Sequence, residues 1–401
     1  MPHETTLVAT IAVGLAFAFL GGFLAVQLRL PPLLGYLLAG IAIGPFTPGF
    51  VADPTLAAQL AEIGVILLMF GVGMHFSVRD LLAVRRIAVP GALAQIVVAT
   101  AMGAAVAGWW GWSLTAGMVF GLSLSVASTV VLLRALSASG RLTTEEGRIA
   151  VGWLIVEDLV MVLALVLLPA LGGADNPGNV SDVWVQVAVM LGKVALFVAL
   201  MLGAGVRLMP RLLALVERTG SRELFTLMVV ALALGIAFGS AKLFGVSFAL
   251  GAFFAGLVIN ESGVGHRATV ELQSLQDMFA ALFFVAMGML FDPAILVRQP
   301  LQVLAVVAII VVGKSLAALA IVLVLRYSMR TALTVAAALA QIGEFSFIMA
   351  GLGLSLGLLP AEGPGLIVAG ALLSIAVNPL LVAAASRALP GVVRSPGAAT
   401  G

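Results

Sequence analysis

Apolar residues fill most of the chain in long runs, broken by Pro, Gly and small clusters of charge. Cutting at those breaks gives segments at 5–28, 31–45, 55–75, 86–108, 113–137, 146–171, 182–208, 222–240, 245–260, 270–291, 300–326, 330–358 and 364–386. A helix that crosses a bilayer needs about 20 mostly apolar residues, and most of these segments reach that length. The segments 31–45 and 245–260 are short and Gly-rich, which predicts tilted or locally irregular helices. The run Thr5–Leu28 reads as a first span and not as a cleaved leader. Met1–Glu4 carries no Lys or Arg, and the run exceeds the roughly 7–15 residues of a signal-peptide core. The pattern predicts an all-α polytopic membrane protein with thirteen transmembrane helices.

Charge placement tests that division. With the N-terminus outside, the cytoplasmic ends of the spans carry Arg29, then Arg79, Arg85 and Arg86, then Arg134, Arg141 and Arg148. Further along they carry Arg207, Arg211, Arg218 and Arg222, then Arg267, Arg326 and Arg330, and last Arg387 and Arg394. The opposite side holds Lys242 and Arg298 among Asp53, Asp175, Asp182, Asp292 and Glu362. This asymmetry obeys the positive-inside rule, and one span missed or invented in the middle would destroy it. The reading is a multi-pass protein of the cell inner (plasma) membrane, N-terminus outside and C-terminus cytoplasmic.

Composition narrows the class. Of 401 residues 62% are hydrophobic and 9% charged, against roughly 25% charged in soluble chains. A cytosolic enzyme and a disordered chain are excluded. The net charge of +2 gives no basic patch, so no nucleic-acid partner is expected. Without Cys there is no disulfide and no thiolate metal site, and His3, His75 and His266 do not cluster. No cofactor and no enzymatic chemistry are expected.

An internal repeat follows from two motifs at one offset. Leu34-Gly35-Tyr36-Leu37-Leu38-Ala39-Gly40 echoes Leu250-Gly251-Ala252-Phe253-Phe254-Ala255-Gly256, and Gly73-Met74-His75-Phe76 echoes Gly288-Met289-Leu290-Phe291. The offset of about 215 residues maps spans one to six (about 5–172) onto spans eight to thirteen (about 222–386), with 182–208 as a linker helix. The repeats then have opposite orientations in the membrane. Inverted repeats of this kind are a feature of secondary transporters, whose site lies at the midplane where the repeats meet.

Ionisable residues in apolar spans are the sharpest chemical signal, since each costs about 2.5–3.5 kcal/mol at a helix centre on insertion scales. Glu157 and Asp158 sit mid-span six, Lys314 mid-span eleven and Glu344 mid-span twelve. Adjacent Glu157 and Asp158 point about 100° apart on a helix, so one faces the ion path and the other a neighbouring helix. A buried ionic staple is the competing reading for the pair, and the favoured one for Glu344 alone. Glu62 reads as structural or peripheral, Lys193 as snorkelling or marking a subunit interface, and His75 and His266 as interfacial. In span five, Ser123, Ser125, Ser128 and Thr129 put four hydroxyls in seven residues at mid-membrane. The offset sets them opposite Gln341–Phe347. Both stretches lack a clean apolar face, as in the broken helices of transporters, where unwound backbone lines a cavity. The competing reading is hydroxyls used as small packing residues.

At these residues the chain resembles the monovalent cation:proton antiporter-2 family, and within it the Kef-type potassium/proton branch. The resemblance is carried by Ala127-Ser128-Thr129-Val130-Val131, by Val156-Glu157-Asp158-Leu159, by Phe283-Phe284-Val285-Ala286-Met287-Gly288-Met289 and by Gln341-Ile342-Gly343-Glu344-Phe345. Lys314 matches a Lys that faces the ion-binding Asp in electrogenic relatives. The resemblance implies an NhaA-type fold with crossed broken helices in spans five and twelve, a homodimer, and elevator-like alternating access. It implies exchange of a monovalent cation, K+ favoured and Na+ possible, for protons. Asp158 would be the shared cation/proton site, aided by Glu157, Ser128, Thr129 and Ser125, with Lys314 as charge partner and Gln341 and Glu344 supporting the broken helices. Two departures stand out. Glu157 replaces the Gln or Asp that precedes the family's Asp. Kef-type proteins often continue into a nucleotide-binding regulatory domain, whereas here 1–387 reads as the antiporter domain and 388–401 as a short cytoplasmic tail without a glycine fingerprint. A sodium-coupled symporter of an organic anion on a related inverted-repeat fold is the alternative. A passive channel is the weaker rival, because a pore gives no reason for buried acid and Lys together.

Overall fold

The computed structural model describes residues 6–48, 53–75, 78–142, 144–172, 180–262 and 265–387; the tail 388–401 lies outside them. Among these residues the secondary structure is helical throughout. The first half comprises α1 (Thr6–Gln27), α2 (Pro32–Ala42), α3 (Pro54–His75), α4 (Val78–Trp109), α5 (Leu114–Ser125), α6 (Thr129–Ala138) and α7 (Glu145–Gly172). Then α8 (Val180–Leu200) runs through a π-turn, Met201–Gly205, into α9 (Val206–Glu217). The second half has α10 (Arg222–Phe244), α11 (Phe248–Asn260), α12 (Gly265–Met289), a short α13 (Ile295–Arg298) and α14 (Pro300–Ala308). A second π-turn, Ile309–Gly313, leads into α15 (Lys314–Val324), followed by α16 (Met329–Ala338), α17 (Glu344–Ser355) and α18 (Glu362–Arg387).

Ten segments among the described residues are long and apolar enough to cross a membrane, and the apolar helices α2, α11 and α17 are shorter. The protein is a multi-pass membrane protein. The linker differs from the expected 182–208. It continues to Glu217 as an amphipathic end that buries Met209 and Leu213 and leaves Arg207 and Arg211 exposed. Lys193 is exposed on α8, Glu62 on α3 and His266 on α12; the side chain of His75 lies outside the described residues.

The helices pack in two groups. In one, α3 lies along α11 and α12, and α2 along α1 and α12, with α10 against α11. In the other, α4 packs on α5, α7 and α15, and α16 and α17 pack on α18. The α8–α9 helix joins them. The first group has a repeating close contact. A Cβ on Gly40 of α2 would run into the Val285 carbonyl of α12, and one on Gly288 into the Leu37 carbonyl. Advancing by the repeat offset gives the same contact between α11 and α3: Gly256 against the Phe70 carbonyl and Gly73 against the Phe253 carbonyl. Backbones this close exclude any side chain, and in a bilayer such packing replaces the hydrophobic drive between helices.

Positions 215 or 216 residues apart occupy matching places elsewhere too. Ser113 caps α5 by accepting from the Ala116 N–H, and Ser328 caps α16 by accepting from the Thr331 N–H. Arg29 and Gly245 share a left-handed backbone, with φ of 61° and 69°. So do Gly111 and Arg326, with φ of 86° and 63°. Thr129 and Glu344 each open the second part of an interrupted helix.

Candidate functional site

The sequence expects irregular backbone in two spans, and the interruptions are specific. After Ser125 the chain is extended (Val126 φ −101°, ψ 134°) and resumes as helix at Thr129, capped by the Ser128 side chain accepting from the Val131 N–H. Between Ala338 and Glu344 the chain leaves the helix again, with Gly343 fully extended. The two interruptions touch: a Cβ on Gly343 would collide with Ser128 Cα. The Ser128 N–H donates to Gln341 Oε1 at 2.9 Å, and Gln341 Nε2 donates to the Ser128 carbonyl at 3.2 Å. Gln341 thus serves both backbone groups of Ser128 with water excluded; both residues are fully buried.

Each interruption frees polar backbone groups that must find partners. Glu157 and Lys314 supply two of them. Glu157 Oε2 accepts from the Ala127 N–H at 2.9 Å, and Lys314 Nζ donates to the Gln341 carbonyl at 3.1 Å. Lys314 leaves the π-turn Ile309–Gly313 as the first residue of α15, a local widening that sets its direction. Gln95 of α4 completes the Glu157 environment by donating from Nε2 to Oε1 at 2.7 Å. Sequence reasoning missed Gln95. The available signal was a lone amide in the middle of the apolar span 86–108.

Asp158 has different surroundings. Glu157 is completely buried whereas Asp158 keeps 5% exposure. Thr129 Oγ1 donates to Asp158 Oδ2 at 3.4 Å, and Asp158 Oδ1 has no hydrogen-bond partner. Glu344, at the start of α17, also has an unpartnered carboxylate oxygen, Oε2, and Ser346 Oγ is unpartnered nearby in sequence. Glu344 and Glu157 are the acidic neighbours of Asp158. The expected pairing of Lys314 with Asp158 is therefore not what the geometry holds. Lys314 makes no ion pair within 4 Å of either Glu157 or Asp158; its Nζ donates to the Gln341 carbonyl. The expectation of an ionic staple at Glu344 also fails geometrically, since no cation pairs with it among the described residues. Its place at the first turn of α17 sets its charge against the positive end of the helix. Ser125 does not join either carboxylate; its hydroxyl donates to the Leu122 carbonyl inside α5 at 2.7 Å. Ser128 lies beside Glu344. The structure thus gathers Asp158, Glu157, Ser128, Thr129, Lys314, Gln341 and Glu344 about the place where the two interruptions meet.

The comparisons with known proteins agree with this architecture. Residues 15–387 match the family described as sodium/hydrogen exchanger, transmembrane. The chain belongs to that family. It is 60% identical over 385 residues to the putative cation/proton antiporter YbaL of Escherichia coli, covering 96% of this chain and 69% of that protein. It is 34% identical to K(+) efflux antiporter 4 of Arabidopsis thaliana, covering 97% of this chain and 65% of that one. Within the family it therefore stands with the monovalent cation:proton antiporter-2, Kef-type branch. In fold it is similar to the sodium proton antiporter MjNhaP1 from Methanocaldococcus jannaschii, with a TM-score of 0.71 at 17% identity, over 94% of this chain and 98% of that one.

Proposed function

We propose that the chain exchanges a monovalent cation for protons, with potassium favoured over sodium, and that Asp158 is the shared site. The observation that carries this is Asp158 itself: a carboxylate at the crossing of two interrupted helices, held on one oxygen by Thr129 and unpartnered on the other. A buried polar atom without a partner asks for a missing ligand. A bare carboxylate there takes either a proton or a cation that has shed part of its hydration, and competition for one site makes the exchange obligatory. Thr129 and Ser128 would contribute oxygens to the cation. Glu157 and Lys314 would hold the crossing in place by serving its free N–H and C=O groups.

The transport cycle in this reading moves the group containing α4–α7 and α14–α18 against the group containing α1–α3 and α10–α12. The three short apolar helices complete thirteen spans with the N-terminus outside, arranged as inverted repeats in a homodimer. Potassium is favoured by the likeness to relatives named as potassium efflux antiporters.

The test is a proteoliposome with an interior pH dye, to which K+, Na+, Li+ or Rb+ is added in turn. Proton release that follows K+ with the lowest KM supports the reading. Release driven by none of them refutes exchange, and release driven by Na+ alone refutes the ion preference.

A further inference from the structure

Helix α16 stops at Ala338, and residues 339–343 are not helical. A helix that continued would give the Ala336, Ala337 and Ala338 carbonyls to the N–H groups of residues 340, 341 and 342. Each of the three carbonyls takes a side chain instead. Ser315 of α15 donates its hydroxyl to the Ala336 carbonyl at 3.3 Å. Asn378 of α18 donates from Nδ2 to the Ala337 carbonyl at 2.8 Å. Gln341 Nε2 reaches back to the Ala338 carbonyl at 3.5 Å. The Ala340 and Gln341 N–H groups turn to the Ala337 and Leu339 carbonyls, out of helical register.

The break between α5 and α6 is kept in the opposite way. There the N–H groups are taken out of use: Glu157 accepts that of Ala127, and Gln341 accepts that of Ser128. In a continuous helix those two groups would serve the Ser123 and Leu124 carbonyls. The repeat offset sets Thr100 at the place of Ser315 and Leu163 at that of Asn378. Thr100 Oγ1 has no partner among the described residues, and a leucine has no donor to give. Closing of the carbonyls by neighbouring helices is therefore a feature of the second repeat. Asn378 is fully buried, and its Oδ1 has no partner among the described residues. A buried amide left half unsatisfied is costly in an apolar helix, and the bond to Ala337 is what it contributes in return.

We infer that Asn378 is a positioning residue for transport: together with Ser315 it holds the α16 break open, by occupying carbonyls that would otherwise wind residues 339–342 into helix. Side chains that bond nearby backbone compete with helix in this way. A helix rises about 1.5 Å per residue against about 3.3 Å for extended chain, so winding shortens the stretch. It would draw Gln341 from Ser128 and Glu344 from Asp158. Asn378 thus acts through those two residues and not on the ion. The inference rests on the antiport reading for its effect on transport, and on the hydrogen bonds at the end of α16 alone for the break.

The test compares the full chain, reconstituted in vesicles, with Asn378→Leu, which keeps most of the volume and removes the donor. Once the wound form competes, only a fraction of the molecules has the site assembled. The apparent affinity falls by that fraction, and saturating cation restores it. Asn378→Leu should raise the KM for K+ roughly two- to tenfold, the range by which one net hydrogen bond shifts an equilibrium, with the maximal rate per folded transporter within about twofold. Ser315→Ala should move KM in the same direction, which covers the case in which Asn378→Leu fails to fold. Ala340 lies outside the helix, and glycine opposes winding. Adding Ala340→Gly to Asn378→Leu should therefore bring KM back toward the parent value. A merely structural Asn378 gives a different result: fewer active molecules, an unchanged KM, and further damage from the glycine. An unchanged KM in both single variants, or no recovery with Ala340→Gly, would overturn the inference. Should the parent show no exchange at all, the antiport reading fails and melting temperatures decide the break. Ala340→Gly should then lower that of Asn378→Leu more than that of the parent, and equal losses would overturn it.

Discussion

Ser128 and Gln341, 213 residues apart in sequence, are joined by two hydrogen bonds where the two interrupted helices meet. The side chain of one bonds both backbone groups of the other, whose carbonyl also accepts from the Leu132 N–H at 3.0 Å. Gln341→Leu keeps the volume and strands the buried Ser128 N–H, while the Ser128 carbonyl keeps its bond from the Leu132 N–H. A stranded buried group costs about 1–3 kcal/mol, so the variant should lose a few degrees of melting temperature in detergent, measured by fluorescence-detected chromatography after heating. An unchanged melting temperature would show that the crossing does not need this clamp.

Asp158 makes one long hydrogen bond and no ion pair, so little of the fold depends on its charge. Asp158→Asn should leave melting temperature and oligomeric state close to those of the parent and abolish cation-driven proton release. A folded Asp158→Asn protein that still exchanges would remove Asp158 from the mechanism.

Thr129 supplies the single hydroxyl that reaches Asp158. Thr129→Val keeps the shape and deletes that oxygen. The KM for the cation should rise several-fold while the rate at saturation changes less. If instead stability falls and KM stays the same, the hydroxyl is a packing and capping group.

Glu157 and Lys314 hold opposite sides of the crossing and share an electrostatic interaction. No ion pair within 4 Å joins them, but each bonds the backbone of an interrupted segment, and Glu157 also takes the Gln95 amide. Lys314→Gln and Glu157→Gln should each lower the melting temperature, and the double variant should fall by less than their sum. A double-mutant cycle coupling of about 0.5–3 kcal/mol is the expected range. Glu157→Gln alone should retain exchange, with the same charge moved per cycle at set membrane potentials. Strict additivity would dissolve the pair, and a one-charge change per cycle would make Glu157 a proton carrier.

Much of this was legible in the chain. Long apolar runs located the helices, because lipid does not solvate exposed backbone. The Leu34–Gly40 and Leu250–Gly256 motifs exposed the repeat, and their glycines prove to be where backbones meet. The buried ionisable residues stood out by depth alone. Less legible was who faces whom. Lys314 could have been aimed at either carboxylate, and Gln95 looked like an incidental amide.

Sequence alone determined which segments lie in the membrane, that two of them are too polar to stay helical throughout, and that Asp158, Glu157, Lys314 and Glu344 are the residues that need partners. Hydropathy and spacing carry that information locally, residue by residue. Tertiary structure decided the pairing: Glu157 with Gln95 and the Ala127 N–H, Lys314 with the Gln341 carbonyl, and Asp158 left with an oxygen free. These choices depend on a π-turn before Lys314 and on the close approach of Ser128 to Gly343. None of these is written in a local pattern, because each arises from where distant backbones can approach closely enough to meet one another's unsatisfied groups.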